Sequence, residues 1–376
     1  MGISDIILYI MLILMAVGGV DYFIGKKIGL GIKYEEGFMA MGALTMNMAG
    51  AVCIAPVLGE VLKPVLSPIF EVFGASPAMF ATTILACDMG GYPLAMSLAG
   101  VDLNNMAAAS QEAVNAGNFS GLILGSMMGA TVVFSIPVGL GLIETTDRPF
   151  LAKGILIGLI TIPVGCLAGG GVAGYGFGWM LRNLIPVIIF ALVIAAGLIF
   201  LQKLMITIFL WFGRFVVGFL TIALVLAGIE GATGGNMIII RGMAPIGEAF
   251  AIVGGIAVVL AGAFSLVYLL TKYLGGPLGK LGELLGMNKE AAAGMVATLA
   301  NNIAMFSIMK NMDDRGKVIN VAFSVSAAFV FGDHLGFTAG IDKGMITAVI
   351  VGKLVGGITA VCIAYFLAPP REKAAA

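Results

Sequence analysis

Histidine occurs once in the 376-residue chain, at His334, and tryptophan only twice. The four cysteines, Cys53, Cys87, Cys166 and Cys362, are scattered through apolar stretches and form no CxxC pair. One imidazole and four separated thiols argue against a structural zinc site or a disulfide framework. No GxSxG, HExxH or P-loop pattern occurs, so neither a cofactor nor an enzymatic activity is expected. An intramembrane enzyme needs a nucleophile–base pair or metal ligands, which this composition scarcely offers. Gly-rich runs such as Gly169-Gly170-Gly171 follow no strand and read as helix packing. Charge is scarce too: 11% of residues are charged and the formal net charge is zero. There is no basic field for nucleic acid and no acidic tail.

What the chain has instead is apolar surface. Hydrophobic residues make up 60% and the mean hydropathy is +1.09, an excess that needs lipid as its solvent. Fifty-five glycines and 23 methionines suit closely packed helices. A helix needs about 20 apolar residues to cross the hydrocarbon core. Such runs fall near 3–24, 38–62, 77–99, 119–143, 150–173, 183–201, 205–228, 249–273, 290–310, 318–340 and 344–367. The first lacks a basic leader and a small-residue cleavage site, so it reads as a retained helix. No long polar linker separates the runs. Residues 1–376 therefore form one all-α polytopic membrane domain, with homo-oligomerisation left open.

An internal repeat is visible. Moved forward by 212 positions, residues 49–74 fall on 261–286, and Ala49, Gly50, Ala51, Leu58, Leu62, Leu66, Glu71 and Gly74 recur. With a two-residue gap, Ala86–Tyr92 falls on Ala300–Phe306; further on, Ala130–Val133 falls on Ala328–Phe331, and Gly158 on Gly352. Blocks in one order point to duplication, dividing the chain into a first repeat (1–180), a connecting helix (181–204) and a second repeat (205–376). Eleven full crossings would put the basic stretch Lys272–Lys289 outside, against the positive-inside tendency. If 77–99 and 290–310 are instead re-entrant hairpins, the Lys/Arg-free stretch 100–118 lies outside. Arg148, Lys153, Lys203, Lys272, Lys280, Lys289, Lys310, Arg315, Lys317, Arg371 and Lys373 then gather inside. Asp88-Met89-Gly90-Gly91-Tyr92-Pro93 supplies a physical reason for the break. The expectation is an inverted-repeat transporter with nine crossings and two broken hairpins, with eleven crossings as the alternative. Residues 100–118 and 311–317 should then lie on opposite faces.

A carboxylate inside a membrane segment is costly and calls for an explanation. Asp88 sits mid-hairpin and Asp333 deep in 318–340. Cys87-Asp88, Ser135-Ile136-Pro137, Asn301-Asn302 and Gly332-Asp333-His334 give each half two polar, broken spots, expected to converge near the midplane. Two carboxylates with no Lys or Arg nearby in sequence suggest a cationic guest, with Tyr92, Phe134 and Phe331 as a cation–π wall. The candidate binding residues are Asp88, Tyr92, Ser135, Asn301, Asn302, Asp333, Cys87 and Asn47, with no metal. The plainer readings are hairpin capping for Asp88, pairing with His334 for Asp333, a satisfied interior role for His334, and an interhelical bond for Asn47.

At these residues the sequence resembles the EutH family of bacterial ethanolamine permeases. The carrying stretches are EEGFMAMGALTMNMAG (35–50), ACDMGGYPLA (86–95), LILGSMMGATVVFSIPVGLG (122–141), AAAGMVATLANNIAMFSIMKNMDDRGKVIN (291–320) and FGDHLGF (331–337). The resemblance implies a multi-pass protein of the bacterial cytoplasmic membrane that imports ethanolamine, a primary ammonium with a hydroxyl tail. Two features depart from the family pattern: Ala304 stands where some relatives carry proline, and the loops near 25–36 and 229–248 are shorter. The expected mechanism is uniport of the protonated amine, Asp88 attracting the ammonium and Asn301, Asn302 and Ser135 meeting the hydroxyl. The alternative is an ion-coupled carrier for another small amine or amino acid. A channel is the less favoured form, because inverted hairpins suit alternating access.

Overall fold

The computed structural model describes residues 2–370; Arg371 and Lys373, assigned above to the inner interface, lie outside the described residues. Every regular element described is helical. Among the described residues, eight helices are long and apolar enough to cross a membrane: Ile3–Phe23, Leu30–Glu71, Gln111–Leu142, Thr145–Val172, Phe177–Phe200, Gln202–Ala232, Ile246–Tyr273 and Lys343–Leu367. The chain is a polytopic helical membrane protein. The second crossing helix outruns its apolar run, 38–62, because Pro56, Pro64 and Pro68 are absorbed without ending it. It carries a π-helical stretch, Thr45–Ala49, at its middle.

The apolar runs 77–99, 290–310 and 318–340 are all interrupted. In the first, Ala78–Ile84 gives way to extended Leu85 and Ala86. A turn follows in which Gly90 takes φ +91°, and the chain returns as Tyr92–Ala99. The two short helices pack against each other. Pro93 opens the second of them, where its missing amide costs nothing. In the second interrupted run, Lys289–Ala300 and Asn302–Ile308 meet at Asn301, whose backbone is extended (φ −159°, ψ 127°). The ends of this run touch: the Asn288 amide donates to Asp313 Oδ1 at 2.9 Å and its Nδ2 to the Asn311 carbonyl at 2.8 Å. A segment whose ends are hydrogen-bonded together returns to the level at which it entered.

The third interruption separates Asp314–Ala327 from Asp333–Ile341. Phe329 there adopts φ +63°, a left-handed conformation that costs a bulky side chain about 1–3 kcal/mol. The unwound strand is held by the second hairpin, because Phe329 and Phe331 amides donate to the Thr298 and Leu299 carbonyls at 3.1 and 3.0 Å. The corresponding stretch of the first half does not unwind. Around Ser135-Ile136-Pro137, expected to be broken, the helix stays continuous and widens into π turns over Phe119–Gly129 and Thr131–Ser135. Pro137 has no amide to donate and crowds the preceding turn, which a wider winding relieves.

The helix Ile346–Leu367 locates the ends of the bundle. Near its start, Asn118 Nδ2 donates to Asp342 Oδ2 at 3.0 Å. Near its finish, Arg315 donates to the carbonyls of Tyr365 (2.9 Å) and Pro369 (3.1 Å), and its Nε to that of Leu285 (2.7 Å). Lys317 joins that end through Asp147 at 2.8 Å. At 1.5 Å per residue the helix holds Asn118 and Arg315 roughly 30 Å apart.

Candidate functional site

The first and third interrupted segments, the helix Gln111–Leu142 and the π-helical turn of Leu30–Glu71 surround a cavity of about 120 Å³. Asn47, Asp88, Met89, Phe134, Phe329, Asp333 and His334 line it, with small alanines completing the wall. Asp88 stands in the hairpin turn but does not cap it: the amides of Met89 and Gly91 donate to the Ala86 carbonyl at 3.1 and 2.8 Å. Its carboxylate faces His334 Nε2 at 3.9 Å, and its side chain is 18% exposed, open to the cavity. Asp333 is half-buried and lies on the same cavity. Phe134 and Phe329 meet edge-on with centroids 5.7 Å apart. A site with two carboxylates and two ring walls suits a small organic cation.

The other candidates are placed elsewhere. Asn302, fully buried, donates through Nδ2 to Ser135 Oγ at 2.7 Å, a sealed pair that does not line the cavity. Asn301 caps the second hairpin, its Oδ1 accepting from the Ile303 amide at 2.7 Å. Tyr92 is buried, its hydroxyl 3.4 Å from Asn118 Oδ1 and its ring edge-on to Phe337. Cys87 is buried behind Asp88, with Sγ 4.0 Å from the carboxylate. Phe331 belongs to a separate apolar cluster around Met11 and Leu335, so Phe329 takes the wall position assigned to it from sequence. In the repeat alignment Asp88 corresponds to Asn302 and Asp333 to Ser135. The aligned stretches thus meet twice, once through charged groups at a cavity and once through a buried neutral pair.

One residue escaped the sequence reading. Lys353, inside the apolar helix Ile346–Leu367, is 1% exposed. Its Nζ donates to the Ser126 carbonyl and lies 3.1 Å from His334 Nδ1. The absence of a basic neighbour for Asp88 holds along the sequence and fails in space, where Lys353 stands behind His334. The signal was available: an ionisable residue in mid-membrane is functional by default.

Two wider recesses flank the cavity. One, about 400 Å³, is lined by Glu36, Phe264, Val267, Tyr268, Asn301 and Asp333 among others. The other, about 250 Å³, is lined by Val52, Ala55, Pro56, Glu60, Pro93 and Glu248 among others. The 212-position shift of the repeat carries Val52, Ala55 and Pro56 onto Phe264, Val267 and Tyr268, and Glu36 onto Glu248. The recesses differ in depth. Only the first shares a wall residue, Asp333, with the central cavity.

The family described as "Ethanolamine utilisation protein, EutH" matches residues 3–367. A Listeria monocytogenes protein named "Probable ethanolamine permease EutH" is 55% identical over 368 residues, covering 98% of this chain and 95% of its own. An Escherichia coli protein of the same name is 48% identical over 412 positions, covering 100% of this chain and 98% of its own. "Uncharacterized protein YxeR" of Bacillus subtilis is 44% identical over 372 residues, covering 99% and 97%. No solved structure matches.

Proposed function

This chain belongs to the EutH family, and from that membership and the cavity we propose that it carries protonated ethanolamine across the bacterial cytoplasmic membrane. The observation that carries the reading is the charge at the cavity. At their ordinary charges, Asp88 and Asp333 set two negative groups against the single ammonium of Lys353. One negative charge is left over, which matches one alkylammonium. The Asp333 carboxylate makes no hydrogen bond among the described residues, so it is free to receive it. The Phe134 and Phe329 rings face the methylenes, and Asn47 supplies an amide for the hydroxyl. A membrane potential negative inside favours cation entry by about 2.3 kcal/mol per 100 mV, so uniport needs no coupled ion.

The topology proposed with this function has nine crossings, Asp314–Ile341 being the ninth, and two hairpins entering from opposite faces. The pairing of the two recesses by one sequence shift supports inverted halves. Single cysteines replacing Gln111 and Asp314 are expected to react with impermeant thiol reagents from opposite sides of the membrane, and labelling from one side would contradict inverted halves. Transport itself is tested with labelled ethanolamine in proteoliposomes under an imposed potential. Saturable uptake that follows an inside-negative potential without sodium or pH gradients is expected. Uptake only with such a gradient would replace uniport by coupling, and none under any condition would remove the function.

A further inference from the structure

A second latent chemistry lies at the wall of the cavity. Cys87 Sγ, a carboxylate oxygen of Asp88 and a ring nitrogen of His334 lie within 4.8 Å of one another. Thiolate, carboxylate and imidazole are the donors that zinc and similar divalent ions choose. A permeation site that trapped such an ion would be plugged. We propose that Lys353 is a specificity-determining residue that closes this cluster to divalent metal ions and so reserves it for a singly charged organic ammonium. The second half of that statement rests on the proposed amine transport; the first does not.

Lys353 acts in two ways. Its buried ammonium sits 3.1 Å from His334 Nδ1, and at such depth solvent and salt screen it little. A dication placed in the cluster meets twice the repulsion that a monocation meets at the same point. The lysine also fixes the imidazole. An ammonium has three donors and no acceptor, so Nδ1 must accept, and the ring proton of the neutral imidazole is left on Nε2. Nε2 is the nitrogen turned toward Asp88, at 3.9 Å. Carrying a proton, it points an N–H at the carboxylate and has no lone pair for a metal. The Ser126 carbonyl holds the ammonium in this position.

The test compares Lys353→Gln and Lys353→Met with the parent, all carrying Cys362→Ser to remove the exposed thiol. Glutamine removes the charge while keeping a donor for the interior carbonyl, which guards against simple misfolding. The purified full-length proteins are titrated with Cd²⁺ and followed by thiolate-to-metal charge-transfer absorption. Lys353→Gln should bind Cd²⁺ at least about tenfold more tightly than the parent, and adding Cys87→Ser should abolish the gain. Equal affinity in parent and folded variants would overturn the proposal, as would a gain that survives Cys87→Ser. If no version transports ethanolamine yet the metal affinity shifts, the proposed function fails and the role of Lys353 stands.

Discussion

Asp88→Asn is expected to abolish high-affinity ethanolamine binding and uptake while leaving expression and thermal stability near those of the parent. The substitution keeps shape and hydrogen-bonding capacity and removes only the charge. Without that charge Asp333 and Lys353 cancel and none is left for the ammonium; losing a charge of this kind from a largely buried site costs about 2–5 kcal/mol, on the order of a hundredfold or more in affinity. Stability should survive because the hairpin turn closes on the Ala86 carbonyl and makes no use of the Asp88 carboxylate as a cap. Calorimetric titration of purified Asp88→Asn with ethanolamine checks the point directly. Binding at parental affinity would take Asp88 out of the site. A loss of binding accompanied by a large fall in unfolding temperature would assign the residue to the fold instead.

The second large effect belongs to a residue that touches no solute. Gly129 lies against the extended tip of the first hairpin. A Cβ at position 129 would come 1.8 Å from the Leu85 carbonyl oxygen and 2.4 Å from its carbon. These are backbone atoms, and no rotamer change relieves them. Gly332 meets the tip of the second hairpin in the same way, its added Cβ falling 2.2 Å from the Ala300 oxygen. Gly129→Ala should therefore destabilise the protein by about 3 kcal/mol or more and abolish transport with it. Gly218→Ala, where nothing lies within 4 Å, should be neutral. Unfolding temperatures in detergent for the two variants decide the matter. If Gly129→Ala melts with the parent, the hairpin tip is not seated where the backbone contacts place it.

These residues show what could be read from sequence. The crossing helices were legible because lipid imposes a length and an apolarity on each span. The first break was legible because Gly90, Gly91 and Pro93 are local chemistry. Asp88 and Asp333 stood out because a carboxylate in an apolar run has few reasons to be there. The second break was harder, since Asn301 breaks its helix with neither glycine nor proline and leans on its own side-chain cap. Phe329 was not legible at all: its left-handed backbone is imposed by Thr298, some thirty residues away, and nothing local favours it. The pairing of Asn302 with Ser135, and of Lys353 with His334, depends on which helix faces meet. Adjacency in the chain suggested that Asn301 and Asn302 act together, whereas the extended backbone at Asn301 turns one to the Glu36 recess and seals the other in the core.

The unequal depth of the two recesses sets a condition on any measured affinity. A solute entering beside Glu36 reaches Asp333 directly, whereas one entering beside Glu248 stops at Val52 and Pro93, short of the cavity. In the proposed carrier this conformer receives solute through the Glu36 recess, and binding through the Glu248 recess waits for its counterpart. If that counterpart makes up about one molecule in a hundred, the apparent dissociation constant from its side rises about a hundredfold over the intrinsic value. Ethanolamine affinities taken on right-side-out and inside-out vesicles then differ by the ratio of the two populations, although the cavity and its contacts are the same. A cross-link that holds the Glu248 recess open would bring that side's value down to the intrinsic one without altering a single residue that touches the solute.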